Sequence, residues 1–186
     1  MLATGVLLFG GCGSSSSKSQ PASGGSEAKS AATGDIPDNQ VFIAYRPPGG
    51  GWQVKVPEGW AQSTAADGAV TFTDKLNSIR LIRTESASQP NATTVRTAVV
   101  TADGSRSGFA FDKVSTVDRT AGPAILATYR VDAEPDPVTG KTINDDVEQY
   151  VFWRNGVQVD MRLAGPHGAD NVDPWRTITD SFRWSK

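Results

Sequence analysis

The length, composition and charge of the chain exclude several classes of protein. Its 186 residues, of which 38% are hydrophobic and 20% charged, suffice for one domain but not for two. The formal net charge of −2 gives no overall basic field, so no binding of nucleic acid is predicted. A single cysteine excludes an internal disulfide and a cysteine-based zinc site, and a single histidine excludes most hydrolase and metalloenzyme sites.

An apolar run opens the chain. Residues 2–11 read LATGVLLFGG, and Cys12 follows them directly. The run is too short to span a bilayer, which needs about 20 apolar residues, but it has the length of the apolar region of an export signal. Residues 1–11 are therefore predicted to be a lipoprotein signal peptide. No Lys or Arg precedes the run, which indicates that the true start codon lies upstream of Met1.

The residues next to Cys12 indicate a lipid anchor. Gly10 and Gly11 resemble a bacterial lipobox, in which a signal peptidase cleaves before a cysteine that receives a diacylglyceryl group, although Phe9 stands where leucine is usual. Each buried methylene of an acyl chain such as palmitate stabilises membrane attachment by about 0.8 kcal/mol. Cys12 is therefore the predicted lipidation site, at the extracytoplasmic face of the cell membrane. The alternative is an apolar terminus with an incidental cysteine.

Composition divides the rest of the chain into a tether and a domain. Residues 13–39 are rich in Ser, Gly, Ala and Pro and carry almost no large apolar side chain before Ile36. Such a segment buries too little apolar surface to offset chain entropy. We therefore predict that residues 12–39 form the lipidated cysteine and a disordered tether, and that residues 40–186 form one globular domain.

The pattern of apolar and polar residues predicts the elements of this domain. Residues 52–56 alternate, which is typical of a half-buried strand, and residues 57–60 end it with a turn. Asn155–Gly156 suits a two-residue hairpin turn in which both residues need positive φ. Apolar side chains on both faces of 147–154 predict layers on both sides of the sheet. Further strands are predicted at 69–73, 78–84, 109–117, 124–131 and 157–163, and a short helix at 92–101.

The last helix and the residues before it form a separate pattern. Asp173 is the predicted N-cap and Pro174 the first helical residue. Asp170, Asn171 and Asp173 have two interpretations: a recognition loop on a rigid helix start, or capping and turn chemistry. Helical spacing places three large residues on the face that packs onto the sheet: Trp175, Ile178 and Phe182.

Five segments of the domain carry a resemblance to known proteins. They read VKVPEGW (54–60), DPVTGK (136–141), EQYVFWRNG (148–156), GPHGADNVDPW (165–175) and DSFRW (180–184). Together they resemble actinobacterial cell-envelope lipoproteins of uncharacterised function, which in turn resemble PsbP, the extrinsic subunit of the photosynthetic oxygen-evolving complex. The resemblance covers residues 41–186. It implies a single α+β domain, with an antiparallel β-sheet flanked by helices in an α/β/α sandwich, and a non-catalytic accessory or binding role.

The inventory of reactive residues is small. A serine hydrolase needs a base within reach of its nucleophile, but His167 lies in a predicted loop, and Arg106 occupies the centre of the only segment close to a nucleophile elbow, 104–108. Phosphate-binding and dinucleotide-binding glycine loops are both missing from the sequence. No catalytic residue and no cofactor is therefore predicted.

Acidic residues on both sides of a predicted turn are candidate ligands for a cation. Hard carboxylate oxygens suit Ca²⁺, but the spacing lacks the pattern of a calcium-binding loop, and charged loops are usually only solvated. The acidic residues are Asp132, Glu134, Asp136, Asp145, Asp146 and Glu148.

Three functions remain open. The favoured one is a membrane-anchored envelope lipoprotein whose domain binds a protein or wall component and catalyses nothing. The second is a carrier or sensor of an apolar envelope molecule, which predicts a pocket lined by Trp and Phe. The third is a carboxylate-based hydrolase, which predicts two acids facing each other in a cleft.

Overall fold

The computed structural model describes residues 34–136 and 138–185. The predicted signal peptide, Cys12 and most of the predicted tether lie outside these residues. The described part contains two helices and ten strands, with these bounds: β1 Phe42–Tyr45, β2 Trp52–Pro57, β3 Ala61–Thr64, β4 Val70–Asp74, β5 Asn77–Glu85, α1 Ala92–Asp103, β6 Ala110–Arg119, β7 Gly122–Asp132, β8 Asn144–Arg154, β9 Val157–Pro166, α2 Val172–Ser181 and β10 Arg183–Trp184.

A seven-stranded sheet organises the domain. Its strands lie in the order β3-β4-β5-β9-β8-β7-β6, and neighbouring strands pair antiparallel. The β8–β9 hairpin turns at Asn155 and Gly156, whose φ angles of 50° and 82° confirm the predicted turn. A second, three-stranded sheet has the order β1-β2-β10. Within the described residues, no helix is both long and apolar enough to cross a membrane.

Helix α2 and the small sheet cover one face of the large sheet. Phe182, directly after α2, is fully buried and stacks on Phe152 of β8 with ring centroids 4.2 Å apart. Trp52 of β2 stacks on Phe182 from another side, at 5.8 Å. Trp175 and Ile178 of α2 belong to the same core. This confirms the predicted packing of the C-terminal helix on the sheet.

Helix α1 covers part of the opposite face. Its buried residues Val95 and Val99 pack with Val151 of β8 and Tyr129 of β7. Strand β8 is therefore covered on both faces, as its apolar pattern predicted. The helix begins at a capping box, in which the Asn91 side chain accepts a hydrogen bond from the Thr94 amide and the Thr94 hydroxyl accepts one from the Asn91 amide.

The two outer strands of the large sheet are β3 and β6. Strand β3 is exposed along its whole length. Nine of the ten residues of β6 pair with β7, and the register shifts between Phe111 and Lys113. Such an extra residue in one strand is a β-bulge, which bends the strand and interrupts the ladder of hydrogen bonds.

The prediction that Asp173 is the N-cap of the last helix is wrong. The helix begins at Val172, and Asn171 is its N-cap, so Asp173 and Pro174 are the second and third helical residues. The Asn171 carbonyl accepts the first helical hydrogen bond, from the Trp175 amide at 3.0 Å. The Asn171 side chain does not cap the helix, because it bonds to residues outside α2.

Those bonds tie the segment before β1 to the domain. Ile36 is buried, and its amide donates to Asn171 Oδ1 at 2.8 Å. The Asn171 amide group donates to Asn77 Oδ1 at 2.9 Å, and the Asn77 amide group donates to the Gly34 carbonyl at 2.8 Å. The packed part of the chain therefore begins by residue 34, inside the stretch 12–39 predicted as tether.

Replacing Asn171 with alanine should cost about 2 kcal/mol of unfolding free energy, because the buried backbone amide of Ile36 and the side-chain oxygen of Asn77 both lose a partner. Urea denaturation measures the loss, and amide hydrogen exchange should show faster exchange at Ile36. Asp170→Ala is the matched control, since its side chain is exposed and should change stability by less than about 0.5 kcal/mol. Equal stability of the two variants would contradict the prediction.

Candidate functional site

A groove of about 490 Å³ lies beside the start of α2. Strands β6, β7 and β8 form its floor, and the segment from Pro166 to Trp175 forms its wall. The groove lies beyond the core cluster of α2, which includes Ala124 and Leu126 of β7 but not Thr128 or Arg130. The lining residues with charged or aromatic side chains are Phe111, Asp112, Tyr129, Arg130, Asp146, Glu148 and Trp175.

The strand pairing places these charges. Residues two apart along a strand share a face, so Asp146 and Glu148 of β8 lie on one side, opposite Arg130 and Thr128 of β7 in the register. Asp112 of β6 accepts a hydrogen bond from the Thr128 hydroxyl at 2.6 Å. The groove thus holds three carboxylates and one guanidinium, an excess of two negative charges.

The other two carboxylates are also fixed by hydrogen bonds. Asp146 contacts His167 Nδ1 at 2.9 Å, and the Gly168 amide donates to the same carboxylate at 3.3 Å. Glu148 accepts a hydrogen bond from the Tyr150 hydroxyl at 2.8 Å, and that hydroxyl accepts one from Arg119 at 2.8 Å. These contacts hold the acidic side of the groove in one geometry.

The guanidinium of Arg130 differs from these acids. Arg130 is exposed, and among residues 34–136 and 138–185 its guanidinium forms no hydrogen bond or ion pair. Its charge therefore remains available to a carboxylate or a carbonyl of a bound molecule.

Of the predicted recognition loop, only part reaches the groove. Asn171 lines it, but most of its side chain is committed to the bonds with Ile36 and Asn77. Asp170 does not line the groove, and its backbone amide donates a hydrogen bond to Asp35 Oδ1 at 2.9 Å. Asp173 is exposed in the first turn of α2. The loop forms the rim of the groove, and its recognition role stays a prediction.

The carboxylates predicted as Ca²⁺ ligands are largely bonded within the protein. Asp132 accepts hydrogen bonds from the Ser107 hydroxyl and the Asn144 amide group, which lower its pKa. Asp136 accepts bonds from the Thr139 amide and hydroxyl, which lower its pKa and close the turn.

The other candidate ligands also lie apart. Glu134 pairs with Arg106 at 3.2 Å, and Asp146 bonds to His167. In the part of the chain that the structure describes, no three His, Cys, Asp or Glu side chains are grouped so that they could hold a metal ion.

Asp145 is the buried member of this set. It is 8% exposed, and burial raises the pKa of its carboxyl to about 6, against the opposing attraction of Arg162. By strand alternation it lies on the α1 side of β8, away from the groove.

A pH dependence follows for Asp145. Since its folded pKa lies above the ordinary value of 3.8, the folded state binds this proton more tightly than the unfolded state. The stabilisation is present below about pH 4 and is lost as the pH rises to about 6. Asp145→Asn removes this titration, so its stability relative to wild type should rise by about 2 kcal/mol across that window.

Urea denaturation at several pH values tests this prediction. Asp118→Asn, at an exposed position of β6, is the control and should track the wild type. The prediction would be contradicted if the unfolding free energies of Asp145→Asn and the wild type changed in parallel with pH.

Comparisons with known proteins give the fold. No family model matches the chain, and no curated protein matches it. The solution structure of the cyanobacterial PsbP protein (CyanoP) from Synechocystis superposes with a TM-score of 0.58 at 16% identity, over 82% of this chain and 98% of that one. The domain has a PsbP-like fold. This confirms the predicted α+β class and its largely antiparallel sheet.

Two further solved structures resemble the PsbP-like domain. A protein from Bacteroides thetaiotaomicron superposes with a TM-score of 0.50 at 13% identity over 77% of this chain, which spans about half (48%) of that protein's length. LpqN, described as involved in cell envelope biogenesis of Mycobacterium tuberculosis, superposes with a TM-score of 0.44 at 13% identity, over 82% of this chain and 88% of that one.

The sequence did not predict the groove of the PsbP-like domain. Arg130 and Asp112 were not singled out, and Trp175 was assigned only to the core. One signal was present. Polar or charged residues recur at every second position in 128–132 and 144–148, which indicates a strand face that is partly exposed to solvent.

Proposed function

We propose that this protein is an extracytoplasmic lipoprotein, anchored to the cell membrane through Cys12, whose PsbP-like domain binds a protein or wall component of the cell envelope without catalysis. The groove beside α2 is the proposed binding site. The observation that carries the proposal is the arrangement of its charges, with an unpaired Arg130 facing fixed carboxylates.

The groove favours a partner with both charges and an apolar group. The excess of carboxylates attracts a basic side chain or amine, and Arg130 suits a carboxylate placed beside it. Trp175 supplies the wall, and Val172 at the rim is 72% exposed. An extended peptide segment or the peptide part of a wall polymer has this combination of groups.

The geometry around His167 supports a binding role. A hydrolase of the serine type needs a nucleophile bonded to its base, but within the described residues no serine, threonine or cysteine side chain bonds to the His167 ring. The carboxyls with a raised pKa, Asp145 and Asp160, do not line the groove. A carboxylate-based hydrolase therefore gains no support from the groove.

The proposal of an apolar carrier also gains little support. The large aromatic rings between the sheet and α2 pack on one another, with Phe182 in contact with Phe152, Trp52 and Trp184. The groove itself is lined by charged residues, whereas an apolar molecule prefers an apolar pocket.

The anchor is tested by cell fractionation. The full-length protein should appear in the membrane fraction, with a diacylglyceryl group on Cys12 detected by mass spectrometry. Cys12→Ser should shift it to the soluble fraction, because a protein without acyl chains loses its membrane affinity. Native protein with an unmodified Cys12 and its apolar leader still attached would contradict the anchor.

The groove is tested by photo-cross-linking in cells, with a cross-linking residue at Val172. The protein should capture one specific partner, and Arg130→Ala and Glu148→Gln should each reduce that capture. Asp118→Asn is the matched control, as an exposed carboxylate of β6 outside the groove. Equal capture by all variants would contradict binding at the groove, as would a hydrolytic activity of the purified protein that one substitution in the groove abolishes.

A further inference from the structure

A second cleft lies on the opposite side of the large sheet. It has a volume of about 300 Å³ and sits between the start of α1, the segment that leads into it, and strands β8 and β9. This volume is at the lower end of the range for small-molecule sites. Helix α1 contacts β6 and β7, so the α1 face of β9 stays open beside it.

Polar side chains at the bottom of the cleft are held in place by one another. Gln158 Nε2 donates to Asp160 Oδ2 at 2.8 Å, and the Gln149 side chain donates a second hydrogen bond to the Asp160 carboxylate. Gln149 Oε1 in turn contacts the Tyr129 hydroxyl at 3.3 Å, and Arg162 Nε donates to that hydroxyl at 3.1 Å. The three groups that face the cleft therefore have a fixed orientation.

Asp160 is the one charged residue that lines this cleft. The charge of Arg80 lowers the pKa of Asp160, but the ion pair of Arg80 is with Asp67 at 2.7 Å, and Arg162 bonds to Tyr129. Among the described residues Asp160 forms no ion pair, and burial raises its pKa despite the hydrogen bond from Gln158. A largely buried carboxylate without a direct ion-pair partner is costly for stability and marks a candidate binding site.

The hydrogen-bonding capacity left over identifies the ligand class. Each amide group keeps a second N–H to donate, while Asp160 Oδ1 and Gln158 Oε1 remain acceptors. An ammonium ion only donates and a phosphate ion only accepts, whereas a hydroxyl group does both. The cleft therefore matches several hydroxyl groups, and its apolar walls suit the C–H faces of a ring: Pro90, Val95, Ala98 and Val151.

We propose that this cleft binds one neutral sugar residue, with Asp160, Gln149 and Gln158 as the groups that recognise its hydroxyls. The site is separate from the groove beside α2, and the proposal stands whether or not the groove binds an envelope partner. Because the cleft is open to solvent, the sugar is a terminal or exposed residue of a larger glycan rather than a fully enclosed one.

The test is an NMR titration of the full chain, labelled with ¹⁵N. The probes are the methyl glycosides of glucose, mannose and N-acetylglucosamine, with spermidine and inorganic phosphate as charged comparisons. At least one glycoside should shift the side-chain amide resonances of Gln149 and Gln158 saturably. Asp160→Asn should weaken that binding at least about tenfold, because the bonds to a charged acceptor are the strongest in the cleft.

Two variants keep the test independent of folding. Gln158→Ala removes a recognising group from a part-exposed position and should also weaken binding, and Asp118→Asn should leave it unchanged. The proposal is overturned if no glycoside shifts the cleft resonances, if spermidine or phosphate shifts them instead, or if neither Asp160→Asn nor Gln158→Ala changes the affinity. Loss of capture at the groove beside α2 has no bearing on these outcomes.

Discussion

Replacing Phe182 with alanine should lower the free energy of unfolding by about 4 kcal/mol, the largest effect expected of any single substitution described for this domain. The ring is fully buried and joins three layers of the fold. It stacks on Phe152 of the large sheet at 4.2 Å, on Trp52 of the small sheet at 5.8 Å, and contacts Trp184 edge-on at 5.2 Å. Its removal leaves a cavity that α2 and both sheets cannot all close.

Urea denaturation followed by tryptophan fluorescence measures this loss. The midpoint should fall while the slope of the transition stays constant, because the surface exposed on unfolding hardly changes. Val172→Ala is the control, since Val172 is 72% exposed and should change stability by less than about 0.5 kcal/mol. A loss below about 1 kcal/mol for Phe182→Ala would show that the core does not depend on this ring.

Replacing Trp175 with alanine should cost about 3 kcal/mol. The indole is 7% exposed and belongs to the core beneath α2. The ring packs beside Gly165, where a larger residue would not fit. A Cβ on Gly165 would lie 3.4 Å from the Trp175 ring and closer still to the Asn77 side chain. The cost is smaller than for Phe182 because the ring also forms a wall of the groove, so water can enter the space it leaves.

The same denaturation experiment separates two roles of Trp175. Arg176→Ala is the control at the next residue of α2, where the side chain is 73% exposed. A large loss of stability identifies Trp175 as a structural support of the groove. A loss as small as that of the control, together with reduced partner capture, would instead make the ring a direct ligand contact.

Much of the fold could be predicted because its signals are local. The apolar side chains on both faces of residues 147–154 and the Asn155–Gly156 turn indicate the central hairpin, and both are present. Strands β1, β3 and β10 were missed. Strand β3 is exposed throughout and so lacks alternation, and β10 has only two residues, which become a strand through pairing with β2.

The helix start shows why the other errors arose. Asp-Pro at 173–174 is a good local start signal, but the helix extends two residues further back. The Asn171 side chain is drawn away from capping by Ile36 and Asn77, which are 135 and 94 residues distant in sequence. A tertiary contact thus overrode a local preference.

The groove was beyond prediction for a related reason. Asp112, Arg130 and Asp146 come from three strands, and they meet because the register places Arg130 opposite Asp146 and Ala110 opposite Arg130. The sequence analysis named only Asp146 of these three, as a candidate cation ligand beside a predicted turn. The antiparallel pairing instead distributes them across a sheet face.

The interrupted register of β6 affects how copies of the protein behave when they are crowded together. A free strand edge is a template on which another chain can add hydrogen bonds and start a polymer. The irregularity between Phe111 and Lys113 breaks the repeat, so a straight incoming strand matches only part of β6. Self-association through this edge is thereby disfavoured.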